Sequence, residues 1–203
     1  MKKLLVATHN LGKLVEIKKT LTDLSLEVIG LSSLSSVNLD FSELSKIDVQ
    51  ETGSTFSENA QLKAKFFSTK TNLLTVADDS GLMVEALNGF PGVSSNRWHC
   101  GTDHDRNAAL LEKMNGANSR AASFITVLCL SDPVNKQEHF FEGEVRGTIA
   151  DDIMGDEGFG YDPIFIPDGY QQTFAQLGVE VKNELSHRSK ALIKLKKHLE
   201  TLD

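Results

Sequence analysis

Hydrophobic positions along the chain fall into short runs typical of strands and into longer spaced stripes typical of helices. Six runs predict strands: residues 3–7, 26–31, 73–77, 122–130, 138–149 and 164–166. Strand and helix patterns alternate along most of the chain, which favours an α/β fold. The two long runs at 122–130 and 138–149 indicate an antiparallel hairpin. We therefore predict a mixed β-sheet with flanking helices, and the pattern does not require a second domain within residues 1–203.

Three helices are marked by apolar stripes or by capping residues. The second begins at Thr55 and Glu58, which have the spacing of a capping box, and the last begins after Ser186 as N-cap. A weaker pattern over residues 103–115, closed by Gly116, predicts a fourth helix. The first helix has an apolar stripe of residues three or four positions apart, and the last has a similar buried face: Leu14, Ile17, Leu21 and Leu24 in the first, and Leu192, Leu195, Leu199 and Leu202 in the last.

Composition restricts the class of protein and its partners. Hydrophobic residues make up 40% of the chain and charged residues 24%, as in ordinary globular domains. A formal net charge of -7 argues against general nucleic-acid binding. No apolar run reaches the about 20 residues of a membrane span, and the stretch at residues 4–7 is too short for a secretory signal. Cys100 and Cys129 are expected to be free thiols, and the histidines lack zinc-site spacing. We predict a cytoplasmic protein without a membrane partner.

Residues 8–13 lie between the first predicted strand and the first predicted helix. Backbone N–H groups at a helix start can bind phosphate, and Lys13 can add a positive charge. The segment is not a Walker A loop, which would need glycine at Ala7 and serine or threonine at Leu14. The alternative is a polar turn with a solvated lysine.

Adjacent carboxylates, Asp78 and Asp79, follow the predicted strand at residues 73–77 and precede Ser80 and Gly81. Because neighbouring carboxylates repel each other, a hard cation such as Mg²⁺ would stabilise them and could activate a water. The alternative is an exposed turn, in which Asp, Ser and Gly are common.

Lys63 lies on the apolar face of the second predicted helix, together with Phe56, Ala60 and Phe67. A lysine in such a position is unfavourable unless its stem reaches solvent or its ammonium meets an anion. Both explanations fit the periodicity, and a phosphate partner fits better once the Asp pair is considered.

Two later segments have features of a binding site. Residues 155–163 are rich in glycine, which lets the backbone approach a ligand, and Phe159 offers a face for a base to stack on. His187 and Arg188 open the last helix shortly after Lys182, where cations oppose the helix dipole and therefore suit function better than stability. The alternatives are a flexible connector and a solvated helix end.

Six sequence segments occur in a fixed order, and together they are specific enough to indicate a protein family. They are Thr8-x-Asn10-x-x-Lys13 and the segments at residues 51–60, 77–82, 89–93, 158–163 and 186–188. Together they strongly resemble the inosine/xanthosine triphosphate pyrophosphatase family, over essentially the whole chain. The resemblance implies an elongated fold with two lobes around a central substrate cleft, and a homodimer.

The resemblance also implies an activity and a site. The activity is Mg²⁺-dependent hydrolysis of ITP, dITP and XTP between the α and β phosphates, which keeps these deaminated purine nucleotides out of nucleic acid. Asp79 is implied as the general base. The triphosphate would be held by Thr8, His9, Asn10, Leu11, Gly12, Lys13, Lys63 and Ser80. The metal would be held by Glu51, Asp78 and Asp79. The base and sugar would be held by Phe159, Gly160, Tyr161, Asp162, Lys182, His187 and Arg188.

Hydrogen-bond chemistry agrees with a preference for deaminated purines. Hypoxanthine and xanthine carry a 6-keto acceptor where adenine carries an amino donor, and lysine, arginine and backbone N–H groups can only donate. Three alternatives remain open: a pyrophosphatase for pyrimidine or modified nucleotides, a nucleotide sensor without turnover and, ranked last, a soluble α/β protein of unrelated function. The acidic trio Glu51, Asp78 and Asp79 argues against the sensor, since a binder has little need of a base that activates water.

Overall fold

A computed structural model describes residues 2–201, in which strands and helices alternate as the sequence predicts. The strands are β1 (Lys2–Val6), β2 (Leu26–Gly30), β3 (Leu74–Val84), β4 (Ala121–Asp132), β5 (Gln137–Ile149) and β6 (Phe165–Pro167). The α-helices are α1 (Leu11–Thr20), α2 (Leu34–Val37), α3 (Phe56–Thr71), α4 (Asp103–Lys113), α5 (Phe174–Leu185) and α6 (His187–Leu199). Short 3₁₀ turns and loops complete the described chain. The predicted α/β class is therefore confirmed.

The six described strands form one mixed sheet in the order β2-β1-β3-β4-β5-β6. Strand β1 pairs in parallel with β2 and β3, whereas β5 and β6 are antiparallel. Strands β4 and β5 are neighbours joined by residues 133–136 only. A parallel pair would need a crossover of a dozen or more residues, so these two strands form the predicted antiparallel hairpin.

The described chain divides into two compact units. The first contains residues 2–79, 127–142 and 191–201, and the second contains residues 80–126 and 143–190. Two hydrophobic clusters form the core of the first unit, one around Leu4, Val76 and Leu195 and the other around Leu5 and Phe67. The core of the second unit includes Leu82, Leu110, Phe124, Phe165 and Phe174.

The predicted helices form, with shifted boundaries. Helix α1 ends at Thr20, so Leu21 and Leu24 lie beyond it, yet both contact the core of the first unit. The capping box of Thr55 and Glu58 starts α3, and the N–H of Ser189 donates to Ser186 Oγ over 3.2 Å at the start of α6. The predicted inner face of α6 is buried at Leu192, Leu195 and Leu199, while Leu202 lies outside the described residues.

The predicted strand end before the Asp pair is wrong. Strand β3 continues through Asp78, Asp79, Ser80 and Gly81 to Val84. The hydrophobic run stops at Ala77, but the sheet continues because neighbouring strands supply backbone partners and both aspartates are buried. The acidic pair is therefore held by a rigid strand and not by an exposed turn.

Helix α5 was not predicted. Its periodicity is interrupted at Gly178, whose φ of 83° breaks the helix, although Thr173 and Gln176 form a capping box at its start. The described residues contain no helix long and apolar enough to cross a membrane.

Candidate active site

The turn from β1 to α1 is organised by its own side chains. Asn10 caps α1 by accepting the N–H of Lys13 over 3.1 Å, and the N–H of Asn10 donates to Thr8 Oγ1 over 3.2 Å. These bonds fix the first turn of the helix, where the N–H groups of Leu11 and Gly12 also lie. His9 Nε2 lies 3.0 Å from the carbonyl oxygen of Ile47, also in the first unit.

Two lysines of the first unit bind carboxylates of the predicted metal set. Lys13 Nζ lies 2.7 Å from Asp78 Oδ2, and only 3% of the Asp78 side chain is exposed. Lys63 Nζ forms a second ion pair with Glu51 Oε1. The ammonium of Lys63 therefore meets an anion, which explains how a lysine is accommodated on the apolar face of α3.

Asp79 is buried at 6% exposure on β3. Its Oδ2 accepts a hydrogen bond from Asn59 Nδ2 over 3.0 Å. Burial raises the pKa of this carboxyl above its usual value, and the charges of Glu51 and Asp78 act in the same direction. Lys63 and Asn59 oppose the rise in pKa. A carboxylate with a raised pKa is a better proton acceptor for a water than an ordinary aspartate.

The residues of this cluster fit a magnesium ion by their chemistry. Glu51, Asp78 and Asp79 carry carboxylate oxygens, the kind of ligand that Mg²⁺ prefers. The three carboxylates outnumber the two ammonium groups of Lys13 and Lys63. Repulsion from Glu51 and Asp78 contributes to the raised pKa of Asp79. Within residues 2–201, no group of three Asp, Glu, His or Cys side chains surrounds a common point in a way that would hold a metal ion. Two of the three carboxylates form ion pairs with the lysines.

The second unit contains the predicted base-binding residues. Asp162 is 2% exposed, accepts the N–H of Phe159 over 2.8 Å and forms an ion pair with Lys182 Nζ. Lys182 Nζ lies 3.9 Å from the centre of the Phe159 ring, and Arg188 Cζ lies 5.9 Å from it. Burial raises the pKa of Asp162, while Lys182 and Arg188 oppose the rise. One aromatic face and two buried cations therefore lie together.

The other predicted residues of this unit have structural contacts. The His187 ring stacks on Phe124 with centres 4.9 Å apart. Tyr161 is in the core, where its hydroxyl donates to the carbonyl oxygen of Ser95 and accepts from Trp98 Nε1, each over 2.7 Å. Burial raises the pKa of Tyr161 to about 12. The Ser80 hydroxyl lies 2.6 Å from that of Thr126.

Sequence reasoning assigned no role to the residues that hold these groups in place. Helix α4 binds both backbone groups of Gly160: the N–H donates to Asp103 Oδ2 over 2.7 Å, and the carbonyl oxygen accepts from Asn107 Nδ2 over 3.0 Å. Asn59, the partner of Asp79, lies within the segment at residues 51–60 that carries the family resemblance. That segment was a usable signal for Asn59, whereas nothing in the local pattern of α4 pointed to Asp103 or Asn107.

The structure thus divides the predicted residues between the units. In the first unit a chain of contacts connects Thr8, Asn10, Lys13, Glu51, Lys63, Asp78 and Asp79. In the second unit Phe159, Asp162, Lys182 and Arg188 form one group. The first group is suited to phosphate and proton chemistry, and the second to an aromatic ligand that accepts hydrogen bonds.

Comparisons with known proteins agree with the resemblance found in the sequence. A protein named dITP/XTP pyrophosphatase from Oceanobacillus iheyensis is 42% identical, with all of both chains covered. A protein of the same name from Listeria monocytogenes is 41% identical over 98% of this chain and 95% of its own. A solved HAM1 protein structure from Coxiella burnetii superposes with a TM-score of 0.89 at 38% identity, covering 99% of this chain and all of the other.

The Ham1 protein structure from Staphylococcus aureus has a TM-score of 0.88 at 39% identity, with full coverage of both chains. The family model described as the Ham1 family matches residues 4–198. The family recognised from the six motif segments is confirmed, and the chain belongs to the Ham1 family.

Proposed function

We propose that this protein is a nucleoside-triphosphate pyrophosphohydrolase that converts XTP, ITP and dITP to the monophosphate and pyrophosphate with Mg²⁺. The enzyme class is that of the relatives named dITP/XTP pyrophosphatase, which match the whole chain at about 40% identity. The observation that carries the proposal is the buried carboxylate of Asp79, with its raised pKa, beside two further carboxylates and Lys63.

The lysines of the first unit bind the triphosphate in this proposal. Lys13 stands in the first turn of α1, where backbone N–H groups can also bind an anion. Lys63 is held by its ion pair with Glu51. Both can exchange a carboxylate partner for a phosphate oxygen, which releases Asp78 and Glu51. Charge neutralisation of this kind is the main source of catalysis in phosphoryl transfer.

Asp79 is the general base in this proposal. It accepts a proton from the attacking water. Burial raises the pKa of Asp79 towards the operating pH, where a general base is most effective. Glu51, Asp78 and Asp79 would hold Mg²⁺, which when bound neutralises phosphate charge and makes water more acidic.

The group in the second unit recognises the base. Phe159 is 42% exposed and offers a ring for stacking, and the ammonium of Lys182 and the guanidinium of Arg188 lie beside it. Both cations donate hydrogen bonds only, so they match a 6-keto oxygen and mismatch the amino group of adenine.

Product analysis tests the proposal directly. Incubation with ITP and Mg²⁺, followed by phosphorus NMR, should show IMP and pyrophosphate appearing together, without IDP or free phosphate. Stepwise release of single phosphates would contradict the proposed bond cleavage. A panel of XTP, ITP, dITP, GTP, ATP and pyrimidine triphosphates should show preference for the first three.

Hydrolysis of deaminated purine triphosphates would keep them out of nucleic acid. Assembly as a homodimer and a cytoplasmic location stay predictions, and sedimentation of the purified protein tests the first of them.

A further inference from the structure

Asn59 is a fully buried polar residue of α3 that contacts two parts of the acidic cluster. Its Nδ2 donates to Asp79 Oδ2 over 3.0 Å, and its Oδ1 accepts the backbone N–H of Gly53 over 2.8 Å. Its own backbone N–H is used by the helix, donating to the carbonyl oxygen of Thr55. The carboxamide is therefore a bridge between β3 and the segment that precedes α3.

The two partners require a carboxamide. The Asp79 carboxylate only accepts and the Gly53 N–H only donates, so the group between them must offer a donor on one side and an acceptor on the other. Aspartate at residue 59 would place two carboxylates against each other. Leucine would leave the buried Asp79 carboxylate and the partly buried Gly53 N–H without this partner. The bonds also fix the orientation of the amide, because the flipped amide would meet both partners with the wrong atom.

Gly53 lies closely against the start of α3. A Cβ added to Gly53 would come within 2.6 Å of Glu58 Cβ and 2.8 Å of Asn59 Oδ1. Two residues before Gly53 is Glu51, whose carboxylate binds Lys63 on the same helix. The segment that carries Glu51 is thus attached to α3 at Lys63, at Asn59 and, through Ser54, at Glu58. The attachment at Asn59 also reaches Asp79.

We propose that Asn59 is a positioning residue: its carboxamide sets the orientation of the Asp79 carboxylate and the place of the Glu51 segment together. The inference rests on the proposed function, in which Asp79 is the base. Asn59 contacts neither the substrate nor the attacking water in this proposal. It acts through the geometry of the two acids, and displacement of a catalytic group by about 1 Å can cost about 10²-fold in rate.

The kinetic test compares Asn59→Ala and Asn59→Ser with Ser68→Ala. Ser68 is also buried on α3, where its hydroxyl lies 2.8 Å from that of Ser131, so its variant loses a buried hydrogen bond away from Asp79. The Asn59 variants should lower kcat for ITP about 10- to 100-fold while KM changes by less than about 3-fold. The Ser68 variant should lose some thermal stability and keep its kcat.

A second readout is independent of turnover. Amide hydrogen exchange of Gly53 should be slow in the unmodified protein and at least about 10-fold faster in Asn59→Ala, while amides at the centre of α3 stay protected. Asn59→Asp keeps an acceptor for Gly53 but loses the donor to Asp79. The Gly53 amide of this variant should therefore exchange slowly, while its kcat for ITP should still fall. This separation is not expected of a residue that only stabilises the fold.

The outcomes separate the two proposals. Folded Asn59 variants with kcat within about 3-fold of the unmodified protein would overturn the inference. Rapid exchange at Gly53 in the unmodified protein would overturn it as well, even if every variant failed to fold. Failure of the unmodified protein to release pyrophosphate from any triphosphate would instead reject the proposed function, while the exchange experiment would still report on the bridge.

Discussion

Asp79 combines burial with carboxylate neighbours, and each of these raises its pKa. Such an arrangement is unfavourable for folding and useful for proton transfer, which is typical of a functional residue. At the scale of single residues, the roles proposed for the base and for the cations can each be tested by a single substitution.

Asp79→Asn should lower kcat for ITP by about 10²-fold or more, because asparagine cannot take the proton of the water. Nucleotide affinity, measured by calorimetry with Mg²⁺, should change little. Glu51→Gln should instead raise the Mg²⁺ concentration needed for half-maximal rate. Near-normal turnover of Asp79→Asn at saturating Mg²⁺ would show that another group is the base.

Arg188→Ala should reduce the ITP/ATP ratio of kcat/KM by about 10- to 100-fold, since loss of one donor to the 6-keto oxygen weakens ITP and barely affects ATP. Lys13→Ala and Lys63→Ala should depress all activities together, because the triphosphate is common to every substrate. Lys182→Ala tests base preference less directly, because it also removes the ion pair of the buried Asp162. The assignment is wrong if the Lys13 variant changes base preference and the Arg188 variant does not.

At the scale of elements, each group of site residues is held by a helix start or by a rigid strand. Strand β3 carries both aspartates, α1 begins at the turn proposed to bind phosphate, and α4 binds the loop that contains Phe159 and Gly160. Helix α4 supplies no predicted ligand contact, and its function here is to fix the place of that loop.

Asn107→Ala should raise KM for ITP about 2- to 10-fold with kcat nearly unchanged, because it removes the donor to the carbonyl oxygen of Gly160. One hydrogen bond contributes about 0.5–1.5 kcal/mol, which corresponds to this range of affinity. Thr102→Ala is the control, since Thr102 caps α4 without contacting Gly160. It should lower the Tm by about 2–4 °C and leave KM unchanged. Equal changes of KM in both variants would assign the effect to helix stability.

At the scale of the whole molecule, the buried carboxyls make the stability of the fold depend on pH. The pKa of Asp79 in the folded protein is above the usual value of 3.8, so the folded state binds this proton more tightly than the unfolded chain does. The contribution of Asp79 to stability is therefore lost as pH rises through the raised pKa.

Without Mg²⁺, Asp79→Asn should have a higher Tm than the unmodified protein at pH 7, by about 2–4 °C for each kcal/mol of repulsion removed. The difference should disappear below the unfolded pKa of 3.8, where the carboxyl is protonated in both states. Asp40→Asn, at an exposed position, should show no such gain. Thermal unfolding followed by circular dichroism from pH 3 to pH 8 measures these Tm differences. A Tm of Asp79→Asn equal to or below that of the unmodified protein at pH 7 would contradict the role of burial.

The sequence by itself determined the fold class, the helices with clear caps, the β4–β5 hairpin and the family. These depend on local periodicity, as in α6, or on fixed motifs such as residues 158–163, both of which are written in adjacent residues. Only the tertiary structure decided that β3 continues through the aspartates, since its neighbours in the sheet hold it there. It also placed Tyr161 in the core and connected Asn59 with Asp79 across twenty positions of the chain. Burial and hydrogen bonding between distant residues arise from packing, and for that reason no local pattern reveals them.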